Sequence, residues 1–294
     1  MTREARPLVF LGTPTAAATI LSELIRNGFE IAHVVTRADA RRGRGSSTTP
    51  SPVKQVAIDN AIDVSHDWAW VKENSNRELL GVVVAYGKII PAAVLSHTPM
   101  VNVHFSLLPR WRGAAPVERA ILAGDARTGV CIMNVEETLD TGDVFARREI
   151  DIVDAHTSEK LTADLAILGG DLLVDTLTEG LGVAVPQQGE STYATKVSTD
   201  ELLLDWNRSS IEVSRMVRAV RSYTMIGSQR LKVIQAELIT DRVQLSPGQC
   251  DGAGCVGTRD GAVRLVAVQP EGKAVMDAVA WLRGRSDQGI IQFS

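Results

Sequence analysis

The residues best suited to chemistry are concentrated in one stretch, VNVHFSLLPRWRGAAP, positions 101–116. With Val101 to His104 extended as a strand, Asn102 and His104 leave the same face, near the strand's C-terminal end. Ligands of open α/β sheets bind outside such ends. On those two residues alone a bland reading also stands, in which Asn102 caps a turn and His104 is a satisfied core histidine. LDTGD, residues 139–143, changes the balance, because a polar loop after the next strand brings a carboxylate within reach of the imidazole. Asp140 and Asp143 are the rivals for that place. Asn, His and Asp together can run an acyl transfer.

A second feature is basic. The run ARRGRGSSTTPSP has no helical or strand period and carries Arg41, Arg42 and Arg44 within four positions, which reads as an inserted loop. Short basic loops are commonly solvated surface. Guanidinium groups placed beside a site also suit phosphates and unpaired bases. Cys131, Cys250 and Cys255 are too few for a disulfide framework, and CDGAGC lacks the second ligand pair of a zinc site, so no metal is expected.

Behind these loops the sequence supplies the elements that must position them. Pro7 to Leu11 reads as a buried strand ending in Gly12-Thr13-Pro14, followed by Ala17, Ile20, Leu21, Leu24 and Ile25 at helical spacing. Glu30 to Thr36, Gly81 to Tyr86, Val101 to His104 and Val130 to Asn134 read as further strands, with a helix over Pro52 to Asn60. Strands alternating with helices predict an α/β fold, a Rossmann-like parallel doubly wound sheet. After a long helix, roughly His156 to Glu179, the polar stretch VAVPQQGESTYATKVSTDE reads as a linker. Beyond it a helix over Ile211 to Val220 precedes LKVIQAELI, GCVGTRD and AVRLVAVQP, short strands between Gly and Pro turns that predict a small C-terminal β-barrel. The expected division is 1–184, a linker at 185–204, and 205–294.

The bulk numbers agree with a two-domain globular chain. Of 294 residues, 45% are apolar and 22% charged, enough to bury a core and too apolar for disorder. MTREARPLVFLG lacks the long apolar segment of a signal peptide or membrane span, so a cytoplasmic protein without membrane attachment is expected. The net charge of -4 argues against indiscriminate nucleic-acid binding. It is unevenly spread: residues 185–294 hold 13 Lys and Arg against 12 Asp and Glu, while residues 1–184 hold 18 against 23. A polyanionic partner would favour the C-terminal part and the basic loop.

In order along the chain, FLGTP, GRG before PSPVK, VVAYGKIIP, NVHFSLLPRWRGAAP and LDTGD resemble the folate-dependent formyltransferase family. Asn-x-His with LDTG about 36 residues on belongs to that wider group, whereas SLLPRWRGAAP and the GRG insertion are similar to its tRNA-directed members. The resemblance implies a Rossmann-like catalytic domain, a linker and a C-terminal barrel of the oligonucleotide-binding type. It implies transfer of the formyl group of 10-formyltetrahydrofolate to the amino group of methionine carried by initiator tRNA, at the start of translation. Asn102, His104 and Asp140 become the catalytic trio, with Asn102 and His104 donating to the negative oxygen and Asp140 holding His104 and taking the amine's proton. A pterin is served by main-chain groups at strand ends with apolar walls, which Ala85, Tyr86, Gly87, Ile89 and Ile90 provide, and Ser106, Leu107, Leu108 and Pro109 form the second folate-contacting segment. Arg41, Arg42 and Arg44 are implied to meet the acceptor stem of the tRNA. Two rivals remain: a formyltransferase for a small amine, such as a glycinamide nucleotide or amino sugar, and a noncatalytic RNA-binding protein. A nucleotide-binding oxidoreductase is poorly supported, since GTPTAA is not G-x-G-x-x-G.

Overall fold

The computed structural model describes residues 4, 6–41, 48–239, 243–285 and 289–294, with Ala40 and Arg41 described as backbone only. The chain forms two compact units. The first comprises residues up to Pro116 together with Ala126–Ile152 and Glu159–Thr195. The second comprises Val117–Asp125, Val153–Ser158 and everything from Lys196 on.

The first unit opens with β1 (Leu8–Gly12), α1 (Thr15–Arg26) and β2 (Ile31–Val35), then a two-residue pair, β3 (Ala40–Arg41) and β4 (Thr48–Thr49). It continues through α2 (Pro52–Asp59), β5 (Val64–Ser65), α3 (Ala69–Glu73), β6 (Leu80–Val84) and α4 (Ala92–Leu95). Next come β7 (Met100–His104), β8 (Arg112–Gly113), α5 (Pro116–Ala123), most of which belongs to the second unit, and β9 (Arg127–Asn134). β10 (Val144–Asp151), α6 (Ser158–Glu179) and β11 (Tyr193–Ala194) complete it. The main sheet has the order β10-β9-β7-β6-β1-β2-β5. β5, β2, β1, β6 and β7 are parallel, as the apolar strands predict. β9 runs antiparallel to β7, and β10 antiparallel to β9.

Alternation along the strands divides the core between two faces. Val9, Leu11, Val35, Val83 and Met100 pack with Val71 of α3 and Val94 of α4. On the opposite face α6 lies close to the sheet, because a Cβ at Gly169 would sit 3.0 Å from Val103 and 3.2 Å from Val130. A helix-interior glycine costs about 1 kcal/mol relative to alanine, a cost offset here by the closer packing of helix on strand. With Val103 turned to α6, Asn102 and His104 must turn the other way. α2 starts where Ser51 accepts from the Lys54 N–H and Pro52 supplies a preset φ at the first turn.

The second unit contains α7 (Ser210–Ala219), β12 (Tyr223–Ile226), β13 (Gln229–Leu238), β14 (Gln249–Cys250), β15 (Cys255–Gly257) and β16 (Ala262–Pro270). β17 (Met276–Asp277), α8 (Ala278–Arg283) and β18 (Ile291–Gln292) follow. α7 begins with a reciprocal capping box between Ser209 and Glu212. The strands are antiparallel in the order β12-β13-β16-β15-β14-β18, with β17 on β16. The two ends of that path approach each other through paired hydrogen bonds between Met225 and Ser294, which nearly closes a barrel. Its core holds Trp206, Val213, Leu231, Val263 and Phe293. The Trp206 indole N–H is satisfied by Thr224 Oγ1 at 2.9 Å, as a buried tryptophan requires.

Candidate active site

β7 supplies the first two side chains. Its register sets Asn102 opposite Met133 and His104 opposite Cys131 of β9, with Val83 of β6 beside Asn102. The loop from β9 to β10 returns over this face and brings Asp140 to both. Asp140 Oδ2 lies 3.6 Å from His104 Nδ1, and the Asn102 amide lies 3.5 Å from Asp140 Oδ1. Both separations are longer than a strong hydrogen bond, so the trio is assembled but not clamped. Among the described residues, the one short bond to the carboxylate comes from the Gly113 N–H, 2.8 Å from Oδ2. Gly113 stands at φ +118°, where a Cβ would meet the Ala194 carbonyl at 2.8 Å. Only glycine lets the chain pass there.

The imidazole has a defined tautomer. His104 Nε2 is 2.9 Å from the Trp111 carbonyl, which can only accept, so Nε2 carries a proton and Nδ1 faces the carboxylate. The His104 and Asp140 side chains are only 6% and 10% exposed, which strengthens electrostatic interactions between them and anything bound alongside. Trp111 is fixed from both sides: its N–H donates to Thr192 Oγ1 at 2.9 Å, and Ser106 Oγ donates to the adjacent Arg110 carbonyl at 2.6 Å. Asp143, the rival carboxylate, is used through its main chain, whose carbonyl accepts from Asn134 N–H at 2.8 Å.

Non-glycine residues in the left-handed region number four among the described residues: Ala61 (φ 54°), Ala85 (45°), Trp111 (62°) and Asp140 (53°). Three of them lie in the loops around the trio. Such conformations cost on the order of 1–3 kcal/mol each and persist where the surroundings over-determine them, a pattern concentrated at functional sites.

The loop after β6 leaves the sheet at Ala85, level with His104 by the register of β6 on β7. Ala85, Gly87 and Ile89 are exposed there, while the Tyr86 ring and Ile90 are buried. Tyr86 packs edge-on to Trp68 at 5.5 Å, and burial pushes its hydroxyl pKa up. Of the five residues of this segment expected to contact folate, therefore, Ala85, Gly87 and Ile89 are the ones open to solvent. Arg37 ties the loop down by donating to the Gly87 carbonyl at 2.8 Å. In the second segment Ser106, Leu108 and Pro109 are buried and Leu107 is half-buried, with Leu108 packed against Cys131, Met133 and Val144. Arg42 and Arg44 lie outside the described residues, and Arg41 is described only as part of β3.

Sequence reasoning missed the contribution of residues 185–194, read above as linker. Val185 and Val144 exchange two main-chain hydrogen bonds at 2.9 Å, Gln187 bonds to the loop carrying Asp140, and β11 pairs with β8. The Ala194 carbonyl accepts from the N–H groups of Ala114 and Ala115. No short-range pattern marks these contacts, because each joins residues about 40 to 80 positions apart.

Asn102 and His104 on one strand face of a doubly wound domain, met by Asp140 from a loop, with a small barrel further along the chain, define a group-transfer enzyme of the formyltransferase class. Residues 6–177 match the formyl transferase family model and residues 196–286 match the model of the formyl transferase C-terminal domain. The chain belongs to the formyltransferase family. Methionyl-tRNA formyltransferase from Clavibacter sepedonicus is 41% identical over 97% of this chain and 99% of its own length. Methionyl-tRNA formyltransferase from Corynebacterium aurimucosum is 39% identical over 96% of this chain and 95% of its own. Among solved structures, an N-formyltransferase from Helicobacter canadensis, in complex with folinic acid and dTDP-3-aminofucose, superimposes with a TM-score of 0.70. At 16% identity over 98% of this chain and 100% of the other, that likeness is one of fold.

Proposed function

We propose that the protein transfers the formyl group of 10-formyltetrahydrofolate to the α-amino group of methionine esterified to initiator tRNA. The observation that carries the chemistry is the convergence of the Asn102 amide and the His104 imidazole on the Asp140 carboxylate, at 3.5 and 3.6 Å. The acceptor follows from relatives at 39–41% identity over nearly the whole chain. In the reaction a neutral amine forms a bond to the formyl carbon, the bond from that carbon to the folate nitrogen breaks, and the amine's proton is passed on. Asp140 is the group that receives that proton, directly or through His104 Nδ1, and the departing folate nitrogen is where it ends. Asn102 donates its amide to the formyl oxygen as that atom becomes negative, and His104 Nδ1 adds a second donor when the amine's proton passes through it. The exposed main chain at Ala85 and Gly87 holds the pterin, with Ser106–Pro109 shaping the wall beside it.

Residues 1–184 then carry the chemistry. The Arg41, Arg42 and Arg44 loop and residues 205–294 grip the RNA. The test compares kcat/KM for charged initiator tRNA, free methionine and amino sugars with the same formyl donor. Preference for the charged tRNA by orders of magnitude supports the reading. Comparable or better transfer to a small amine replaces it with the small-amine reading.

A further inference from the structure

Every hydrogen-bonding site of the Gln187 side chain that faces the protein is spent on two loops. Its Nε2 donates to the Asp140 carbonyl and to the Gly142 carbonyl, both at 2.9 Å. Its Oε1 accepts from Arg112, at 3.1 Å from Nε and 2.6 Å from Nη2. Gln187 is itself anchored two residues along the chain by the paired hydrogen bonds of Val185 and Val144. Arg112 is anchored by its own N–H to the Thr192 carbonyl at 2.9 Å. The side chain therefore joins the Asp140 loop to the Arg112 loop, whose Gly113 N–H holds the carboxylate.

Asp140 needs such a brace. Its backbone is left-handed, and its carboxylate has one short bond, with Asn102 and His104 both at 3.5 Å or beyond. The aim of the carboxylate is set by where its main chain is held. An amide is the group that fits between the two loops, since it must donate both hydrogens to carbonyls on one side and accept from a guanidinium on the other.

Resting on the catalytic role of Asp140 proposed above, we propose that Gln187 is a positioning residue for formyl transfer. It fixes the Asp140 main chain so that the carboxylate meets His104 and Asn102. It touches neither substrate nor reacting atom, and Arg112 acts through it.

Gln187→Glu tests this. The change nearly preserves shape and keeps the acceptor for Arg112, but sets a carboxylate oxygen against two carbonyl oxygens. Misplacement of a reacting group by about 1 Å costs on the order of a hundredfold, so kcat should fall about 10- to 100-fold in Gln187→Glu and in Gln187→Ala. KM for both substrates should stay within about threefold, because binding surfaces are untouched. In an Asp140→Asn background the same substitution should change kcat less than about twofold, since the group it aims is already gone. A kcat within twofold of wild type for both variants, with Asp140→Asn disabled, overturns the proposal alone. Equal proportional losses in the two backgrounds, or losses that follow a lowered melting temperature with KM and kcat affected together, also overturn it. Near wild-type turnover in Asp140→Asn instead removes the catalytic reading on which it rests.

Discussion

Asp140→Asn is the most discriminating single substitution in the site, because the geometry states what it keeps and what it removes. The left-handed backbone at φ 53° is tolerated by asparagine better than by alanine, so the fold should survive with a melting temperature within a few degrees of wild type. The new amide must turn its oxygen to the Gly113 N–H, 2.8 Å from Oδ2 in the parent, because that group can only donate. Its NH2 then occupies the Oδ1 position, 3.5 Å from the Asn102 NH2, donor against donor. Asn102 relieves the conflict by flipping, which turns its own donor away from the substrate oxygen. The variant thus loses a proton acceptor, worth about 10²–10⁴ in rate, and misdirects an oxyanion donor, worth about 10²–10³. These groups act on one transition state, so the losses overlap, and kcat should fall about 10³-fold, roughly 4 kcal/mol of activation free energy. The assay is formylation of charged initiator tRNA at saturating donor, with circular dichroism confirming the fold. A folded variant within threefold of wild-type kcat would refute the assignment of Asp140.

Three further outcomes are expected. Arg119 donates to both carboxylate oxygens of Glu201 and holds its pKa down to about 2, so Glu201 binds fewer protons folded than unfolded. Its stabilising contribution is present above about pH 4.5 and is lost as pH falls towards 2; with the Glu201 side chain 41% exposed, Glu201→Gln should cost at most about 1 kcal/mol at pH 7, a gap that closes by pH 2 in denaturant titrations. Burial pushes the Cys250 thiol up to about 12 and raises Cys131 as well, so iodoacetamide at pH 8 should label neither in the native protein and both after unfolding, as mass spectrometry would read out. Arg44→Ala should lower kcat/KM for initiator tRNA far more than it weakens folate binding, and should shrink the preference over elongator tRNA; equal losses on both tRNAs would make Arg44 a general electrostatic contact.

Much of the fold was legible because its strands and helices state their period locally. Ile20, Leu21 and Leu24 are fully buried on α1, as their spacing requires, and Asn102 and His104 do share a strand face. β10 was not foreseen: VFARREID alternates around charges on a half-exposed edge strand, with too few apolar residues to register. The reversal of β9 was hidden for a different reason, since a strand entered through a helix reads the same in either direction. In the site, residue types and spacing pointed to Asn102, His104 and one of two carboxylates, and the resemblance to the formyltransferase family singled out Asp140. Nothing local foretold that the Trp111 carbonyl fixes the His104 tautomer or that Gly113 N–H holds Asp140. The buried Tyr86 ring also follows from packing against Trp68, 18 residues away in sequence, rather than from the AYGKIIP pattern around it.

The most direct test of the central claim is product identification. The wild-type protein is incubated with formyl-labelled 10-formyltetrahydrofolate and methionine-charged initiator tRNA, the ester is hydrolysed, and the amino acid is analysed by mass spectrometry. Label recovered as N-formylmethionine, dependent on His104 and Asp140, is the expected result. Label remaining on the folate, or transferred instead to a small free amine in a parallel reaction, would contradict it.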